Sequence, residues 1–543
     1  MSETPGTILI RGAAVLPLGG VAVRGAAEGK PSEASMPEVR GAAEGEPSEA
    51  LMPEDVREGV DLLIADGRIA AMGPALAPAR PPDRVIEARD RLVIPGLVNA
   101  HLHSHNNYFR GWFDSLPLDL CVLGLWGIGA SPEALRLTPR QIYARALLGC
   151  CEMLRTGTTT AIDDVSLSPW LGEESLAAVV RAYEDSGMRA VVAAHVFDIP
   201  YHRTVPFVAD LLPAALRDEL DRAPAPDVAA VADLMRACAK RWNVPGARVR
   251  FGIGPSGPQR CSDALLETTA RVAEECDVPV YIHALETRTQ AAMGRVAYGQ
   301  TLIERLRDRG ALSPRVTLGH AIWLTPGDIE ILVETGAMTC HNPVSNLKLG
   351  SGIAPVPRLL QAGVPVALGT DGVMSNDGLN MFESMKLAAL LHKVTASDPG
   401  RWLGARDVLR MATSCGARSA RADGIGAIAP GQRADLVVLD LRRASFAPRN
   451  DLVQQTVYAE NGSSVDTVIV DGRIVAEGGR LLTVDEAAVA AEVTRDAAAF
   501  HARNADGRRR AAEIEPYFRE MYARAWRVDV GPLAFEADRE AGR

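Results

Sequence analysis

The sequence predicts an α/β chain, a (β/α)8 barrel with a small β-sandwich formed by both chain ends. Three observations carry that expectation. Eight short apolar runs alternate with helical patterns between residues 95 and 420, and strand–helix alternation of that kind closes into a parallel barrel. The first run ends in His-x-His and four later ones end in His or Asp, where a barrel of this TIM type gathers its functional groups. Finally, DLLIADGRIAAMG at 61–73 and VDTVIVDGRI at 465–474 resemble each other, each with its own Asp-Gly turn. Two similar hairpins at opposite ends of a chain are most simply parts of one sheet around a central domain.

In chain order, 7–16 (TILIRGAAVL) reads as a strand. A 16-residue repeat follows: VRGAAEGKPSEASMPE at 23–38 and VRGAAEGEPSEALMPE at 39–54. Its Gly, Ala, Glu, Pro and Ser cannot bury a core. It is expected to be a disordered insertion, 23–57, within the N-terminal part of the sandwich, 1–94. The barrel is expected over 95–420. Its strand runs are 97–101, 158–163, 190–196, 249–254, 278–283, 316–320, 338–341 and 366–370. Helical patterns fall at 139–155, 174–186, 227–241, 262–276, 301–308 and 326–335. Strand LVVLDL at 436–441 and the hairpin after 465 complete the sandwich over 421–484. The last stretch, 485–543, reads as a helical extension that packs across the barrel or on a partner subunit.

Composition narrows the function. A net charge of −10 and a pI near 5.6 disfavour nucleic acid. No run of about 20 apolar residues occurs, so no membrane span is expected. The N-terminus lacks the layout of a signal peptide. Eight scattered cysteines without a C-x-x-C pair read as reduced thiols of a cytoplasmic protein. The adjacent Cys150 and Cys151 sit in a helical pattern and are expected to pack.

The chemistry lies at the strand ends. Residues i and i+2 of a strand face the same side, so His101 and His103 in PGLVNAHLH aim at one point, as a metal ion requires. Later strand ends read YIHALE (281–286), LGH (318–320), CHNPVSN (340–346) and LGTDG (368–372). After the first strand, five aromatics fall between 108 and 126, Trp112 and Trp126 among them. A planar heterocycle could stack there; packing against the next helix explains the cluster equally well.

These pieces, with HALET, LGHAIWL, HNPVSNLKLGSG and APGQRADLVVLD in the same order, resemble the metal-dependent amidohydrolase superfamily. The resemblance is to the branch of cytosine and guanine deaminases, methylthioadenosine/S-adenosylhomocysteine deaminases and triazine hydrolases, and covers most of residues 61–482. It implies a single divalent metal, zinc with iron as the alternative, held by His101, His103, His283 and Asp371. It implies catalytic roles for Glu286, His320 and Asp371. The fourth strand, RVRFGIGP, carries no lysine, which argues against the carboxylated lysine of two-metal members. His341, His105, His195, Trp112 and Trp126 are the candidate substrate contacts.

The expected reaction is hydrolytic deamination of an amino-substituted N-heterocycle or amidine. Displacement of chloride or an amine from an aromatic ring is the alternative, and a non-catalytic scaffold is the reading from another class. The expected partners are a small-molecule substrate and, by resemblance, further copies of the chain in a homodimer or larger assembly.

Overall fold

The structure, a computed structural model, describes residues 6–18, 55–125, 132–222, 225–395 and 398–535. The repeat at 23–54 and Trp126 lie outside the described residues. Within the expected insertion of 23–57, Asp55 accepts a hydrogen bond from Arg406 and Arg57 opens a strand.

Strands β1 (Ile8–Val15), β2 (Arg57–Ala65), β3 (Arg68–Gly73), β4 (Arg84–Glu87) and β5 (Arg91–Pro95) precede the barrel. The barrel strands are β6 (Leu97–Leu102), β7 (Thr158–Val165), β8 (Arg189–Val196), β9 (Val249–Pro255), β10 (Val280–Ala284), β11 (Val316–His320), β12 (Met338–His341) and β13 (Val366–Leu368). After it come β14 (Leu436–Asp440), β15 (Val465–Val470), β16 (Arg473–Glu477) and β17 (Arg480–Leu481). The first and last groups form one nine-stranded sheet, joined where β5 pairs antiparallel with β14. Sequence and structure agree on the reason. Ile8, Ile10, Leu62, Ile64, Leu436, Val438 and Ile469 alternate along their strands and are buried together in one core.

The two Asp-Gly turns meet. Asp66, Gly67, Asp471 and Gly472 all have positive φ, the conformation of a tight hairpin turn with two left-handed residues. A Cβ on Gly472 would stand 2.6 Å from the Gly67 Cα, so only glycine permits the contact. Ala434 bridges them, donating to Gly67 O and accepting from Gly472 N–H.

The eight central strands pair in chain order. The seam between β13 and β6 is closed by polar contacts. The Asn99 amide donates to Thr370 Oγ1 and accepts from the Thr370 N–H. The Thr370 and Asp371 N–H groups donate to His101 O. The β6–β7 register shifts between Asn99 and Leu102, an irregularity beside His101 of the kind that re-aims side chains. Outside the barrel, the helix Pro139–Arg155 starts at a Thr138–Gln141 capping box with proline at its first turn. It buries Ile142, Leu147, Cys150, Cys151 and Leu154, so the paired cysteines pack as expected.

The C-terminal extension packs on this same chain. Helix Glu486–Arg503 lies along Pro139–Arg155 and is tied to it by Arg140–Glu492 and Arg155–Glu486. Helix Ala505–Ala525 crosses Leu118–Leu125. The tail accepts hydrogen bonds from Arg288, Arg295 and Arg358 at Val528, Val530 and Ala534. Those arginines follow β10 and β12, so the extension straps the face where the barrel strands end.

Candidate metal centre and active site

Local hydrogen bonds set the direction of each imidazole. His103 Nδ1 lies 2.6 Å from Asp164 O and His283 Nδ1 lies 3.0 Å from Ser256 O. A carbonyl can only accept, so both Nδ1 atoms carry hydrogen and both Nε2 lone pairs turn inward. The two Nε2 atoms are 3.2 Å apart. Two facing lone pairs at that distance repel unless a cation lies between them and further donors.

Those donors are present. Asp371 Oδ1 is 3.5 Å from His101 Nε2 and 3.3 Å from His103 Nε2. Neither His101 nitrogen has a hydrogen-bond partner among the described residues, although the residue is fully buried. Its ring is stacked on Tyr281 at 4.3 Å. The ligand atoms of His101, His103 and His283 lie within 4.8 Å of one another, as do those of His101, His320 and Asp371. Burial and neighbouring imidazoles push the His283 pKa well down, and His101 falls to about 3. For Asp371, burial pushes up but His101, His103 and His320 outweigh it and hold the carboxylate ionised. Neutral imidazoles with one carboxylate suit a divalent ion. Ser345 Oγ and the Gly372 N–H donate to Asp371 and fix its oxygens.

Glu286 and His320 stand beside this group, 3.7 Å apart. His320 Nδ1 meets Asn346 Oδ1 at 2.9 Å, so the ring turns Nε2 toward Glu286. Glu286 is buried, and its backbone N–H donates to Gln290. Burial and the charges of Asp371 and Asp119 raise its pKa well above the ordinary value. A cavity of about 80 Å³ is bounded by His103, His105, His195, His283, Glu286, His320 and Asp371.

The expected substrate contacts divide. His105 and His195 line the cavity. His105 Nδ1 accepts from the Ser166 N–H, and His195 Nδ1 is 2.9 Å from Asp164 Oδ2. His341 is not among the residues that line this cavity, and its ring lies 5.6 Å from that of His392. Along β12 Cys340 faces the barrel interior, so its neighbour must face outward. Trp112 is not among the lining residues either. It stacks on His501 of the C-terminal extension at 3.9 Å and is 40% exposed. Tyr108 and Phe109 pack on Phe500. Tyr108, Phe109 and Trp112 thus pack against a helix from the far end of the chain. Asp377 accepts from the Gly111 N–H and pairs with Lys348, joining two rim loops.

Sequence reasoning missed Asp119, Asp164, Gln259 and Arg260. Asp119 lines the cavity beside Tyr201, is pushed up to about 6 by burial, and leaves Oδ2 without a partner among the described residues. Asp164 lies one residue past the expected end of its strand, so the strand-end signal reached its neighbour.

The profile of the amidohydrolase family matches residues 92–475. The chain is 39% identical to the 5′-deoxyadenosine deaminase of Methanothermobacter thermautotrophicus, over 79% of this chain and 92% of that one. It is 37% identical to a 5-methylthioadenosine/S-adenosylhomocysteine deaminase of Nitratidesulfovibrio vulgaris, over 80% and 91%. A zinc-bound adenosine deaminase from Xanthomonas campestris superposes with a TM-score of 0.72 at 28% identity, covering 93% of this chain and 100% of that one. A zinc complex of atrazine chlorohydrolase from Arthrobacter aurescens superposes with a TM-score of 0.77 at 25% identity, covering 90% and 99%. Barrel, ligand-like cluster and relatives agree, and the chain belongs to the amidohydrolase family as a metal-dependent hydrolase of carbon–nitrogen bonds.

Proposed function

We propose that the protein deaminates the adenine ring of a 5′-substituted adenosine, releasing ammonia. The observation that carries this reading is the placement of Glu286. It is a buried carboxyl with a raised pKa, 3.7 Å from His320 and in the wall of the cavity that His103, His283 and Asp371 also line. The similarity to adenosine-derivative deaminases supports the choice of ring.

We assign His101, His103, His283 and Asp371 as ligands of one ion, zinc. Bound there, the ion supplies a Lewis acid that makes water available as a nucleophile near neutral pH. The remaining steps belong to side chains. Asp371 Oδ1 and His320 Nε2 draw a proton from the attacking water. Glu286, its carboxyl pushed up by burial and by Asp371 and Asp119, gives its proton to the ring nitrogen beside the carbon under attack. The water oxygen adds to that carbon, the proton taken by Asp371 and His320 passes to the exocyclic amine as its carbon–nitrogen bond breaks, and Glu286 regains a proton from the new hydroxyl as the carbonyl forms. Adenine and water thus become hypoxanthine and ammonia. Asp119 Oδ2, buried in the wall, is the acceptor for a sugar hydroxyl. All eight cysteines are free thiols, which supports a reducing cytoplasmic setting. No helix of the described residues is long and apolar enough to cross a membrane. We also propose assembly as a homodimer or larger.

Displacement of chloride or an amine from a triazine is the second reading, favoured by the likeness to atrazine chlorohydrolase. A panel of 5′-deoxyadenosine, 5′-methylthioadenosine, S-adenosylhomocysteine and a chlorotriazine separates the two. Ammonia from the adenosines is the expected result. Chloride from the triazine with no ammonia from any adenosine would overturn the reading.

A further inference from the structure

The three histidines assigned to the ion are not anchored alike. His103 and His283 each donate from Nδ1 to a backbone carbonyl, Asp164 O at 2.6 Å and Ser256 O at 3.0 Å. His101 has no such partner at either ring nitrogen among the described residues. The torsion that turns an imidazole about its Cβ has broad wells, so a ring without an anchor does not hold its own plane. A metal ion nevertheless needs the Nε2 lone pair kept on target.

The His101 ring is held by its face instead. The Tyr281 phenol lies against it at 4.3 Å between ring centres, with the two planes 8° apart. His103 and His283 meet the same imidazole edge-on, at 4.5 and 5.0 Å. Tyr281 stands two residues before His283 on β10, so both point to the barrel interior. There the phenol is buried with Ala100, Ile162, Met338 and Cys340. Room for it comes from the neighbouring strand. β11 carries Gly319, paired in register with His283. A Cβ at Gly319 would stand 2.5 Å from the Tyr281 hydroxyl oxygen and 3.0 Å from its Cε1. Gly319 is not among the glycines with positive φ, so space for the phenol, not backbone conformation, calls for glycine there.

We propose that Tyr281 is a positioning residue of the metal centre: its stacked ring fixes the plane of His101, and Gly319 leaves the gap that admits it. The proposal rests on the assignment of His101 as a ligand above. An imidazole bound to a dication carries part of the charge, and the face of a phenol attracts positive charge. The stack therefore favours the metal-bound imidazole over the free one. An aliphatic side chain of similar bulk fills the same space without a flat face to set the plane.

The test is the zinc affinity of the full-length protein, measured by competition with a chromogenic chelator, beside the melting temperature of each metal-free protein. Tyr281→Leu removes the flat face and is expected to weaken zinc roughly tenfold to a hundredfold, the scale of losing a ligand's orienting partner. Tyr281→Phe keeps the face and should stay within about threefold of the wild type, well inside that scale. Gly319→Ala should weaken zinc as Tyr281→Leu does, because the new methyl displaces the phenol. Adding Tyr281→Phe to Gly319→Ala removes the clashing hydroxyl and should recover most of the loss. Where Tyr281→Leu does not fold, this last pair decides. Packing alone would make zinc affinity follow the metal-free melting temperature across the series, and that result overturns the proposal. An unweakened Tyr281→Leu overturns it too, as does a Tyr281→Phe as weak as Tyr281→Leu. His101→Ala separates the proposal from the assignment beneath it. Wild-type affinity in that variant removes the ligand and the proposal together. Loss there, with none in the Tyr281 and Gly319 variants, overturns the positioning role alone.

Discussion

Asp164 Oδ2 lies 2.9 Å from His195 Nδ1; the other nitrogen of that ring has no partner among the described residues, and His195 lines the cavity. The carboxyl therefore positions an imidazole that substrate would meet. Burial pushes the Asp164 pKa up to about 8, while a dication on the adjoining histidines pulls the other way. Asp164→Asn should raise KM roughly threefold to tenfold, the worth of one neutral hydrogen bond, with a smaller change in kcat. The double variant with His195→Ala should be no worse than His195→Ala alone. Additive losses would show that Asp164 acts through something other than His195.

Glu286 carries the proton-transfer assignment. Glu286→Gln should lower kcat by about 10²–10⁴-fold while metal content stays at the wild-type level. Its pKa is raised by burial and by Asp371 and Asp119, and the proposed proton donation uses the protonated form. Activity should persist below that raised pKa and fall as the pH passes above it, and the variant should lose this alkaline limb. A wild-type pH profile retained in Glu286→Gln would assign the proton transfer elsewhere.

The metal assignment makes a separate claim. Chelation should lower the melting temperature as well as abolish turnover, because an ion that binds only the folded state stabilises it. Added zinc should restore both. Elemental analysis should find about one metal per chain in the wild type, and far less in His101→Ala or His283→Ala. Stoichiometric metal in His101→Ala would remove that residue from the ligand set. Substoichiometric metal in the wild type, with no further loss in the variant, would favour the scaffold reading.

What could be read from the sequence follows from the range of the signals. All eight barrel strands were legible because apolar runs are local, and the strand-end histidines because side chains alternate with period two. That same alternation excludes His341 from the cavity, since Cys340 beside it takes the interior place. The two Asp-Gly turns were legible as turns, and their mutual contact was implied only by their likeness. The stacking partner of Trp112 was not legible because His501 lies at the far end of the chain. Asp119 gave no signal at all. It sits in a helix beyond the strand ends, where burial and cavity position are decided by tertiary packing.

The stacking of Trp112 on His501 predicts how the aromatic loop responds to change. Trp112→Ala should leave the specificity among adenosine derivatives unaltered, since the ring is outside the cavity wall. Stability should fall by about 0.5–1.5 kcal/mol, the scale of one aromatic pair. Denaturant melts and a substrate panel check this. A selective loss of one substrate, with stability unchanged, would return Trp112 to the role the sequence suggested.

Arg189 joins the barrel to the terminal sheet. It opens β8 and pairs with Asp435 at 2.9 Å and with Asp471 at 3.2 Å. Arg189 and Asp435 are nearly inaccessible, with side-chain exposures of 7% and 1%. Asp435 also accepts from the Asp471 N–H, and Arg433 remains on Asp471. Arg189→Met would thus strand Asp435 beside an apolar side chain. The expected loss is roughly 3–5 kcal/mol, typical of a broken buried pair. Adding Asp435→Asn should recover part of it, because no charge is then left buried. The pH dependence has a definite sign. Burial pushes the Asp471 carboxyl up, but Arg189 and Arg433 outweigh it and hold its pKa below the ordinary value. Its stabilising contribution is present above about pH 4 and is lost as acid carries the protein through the lowered pKa. The wild type should therefore lose more stability than Arg189→Met between about pH 5 and pH 3. Denaturant melts across that range measure both proteins. Parallel pH profiles would mean that Arg189 contributes packing alone.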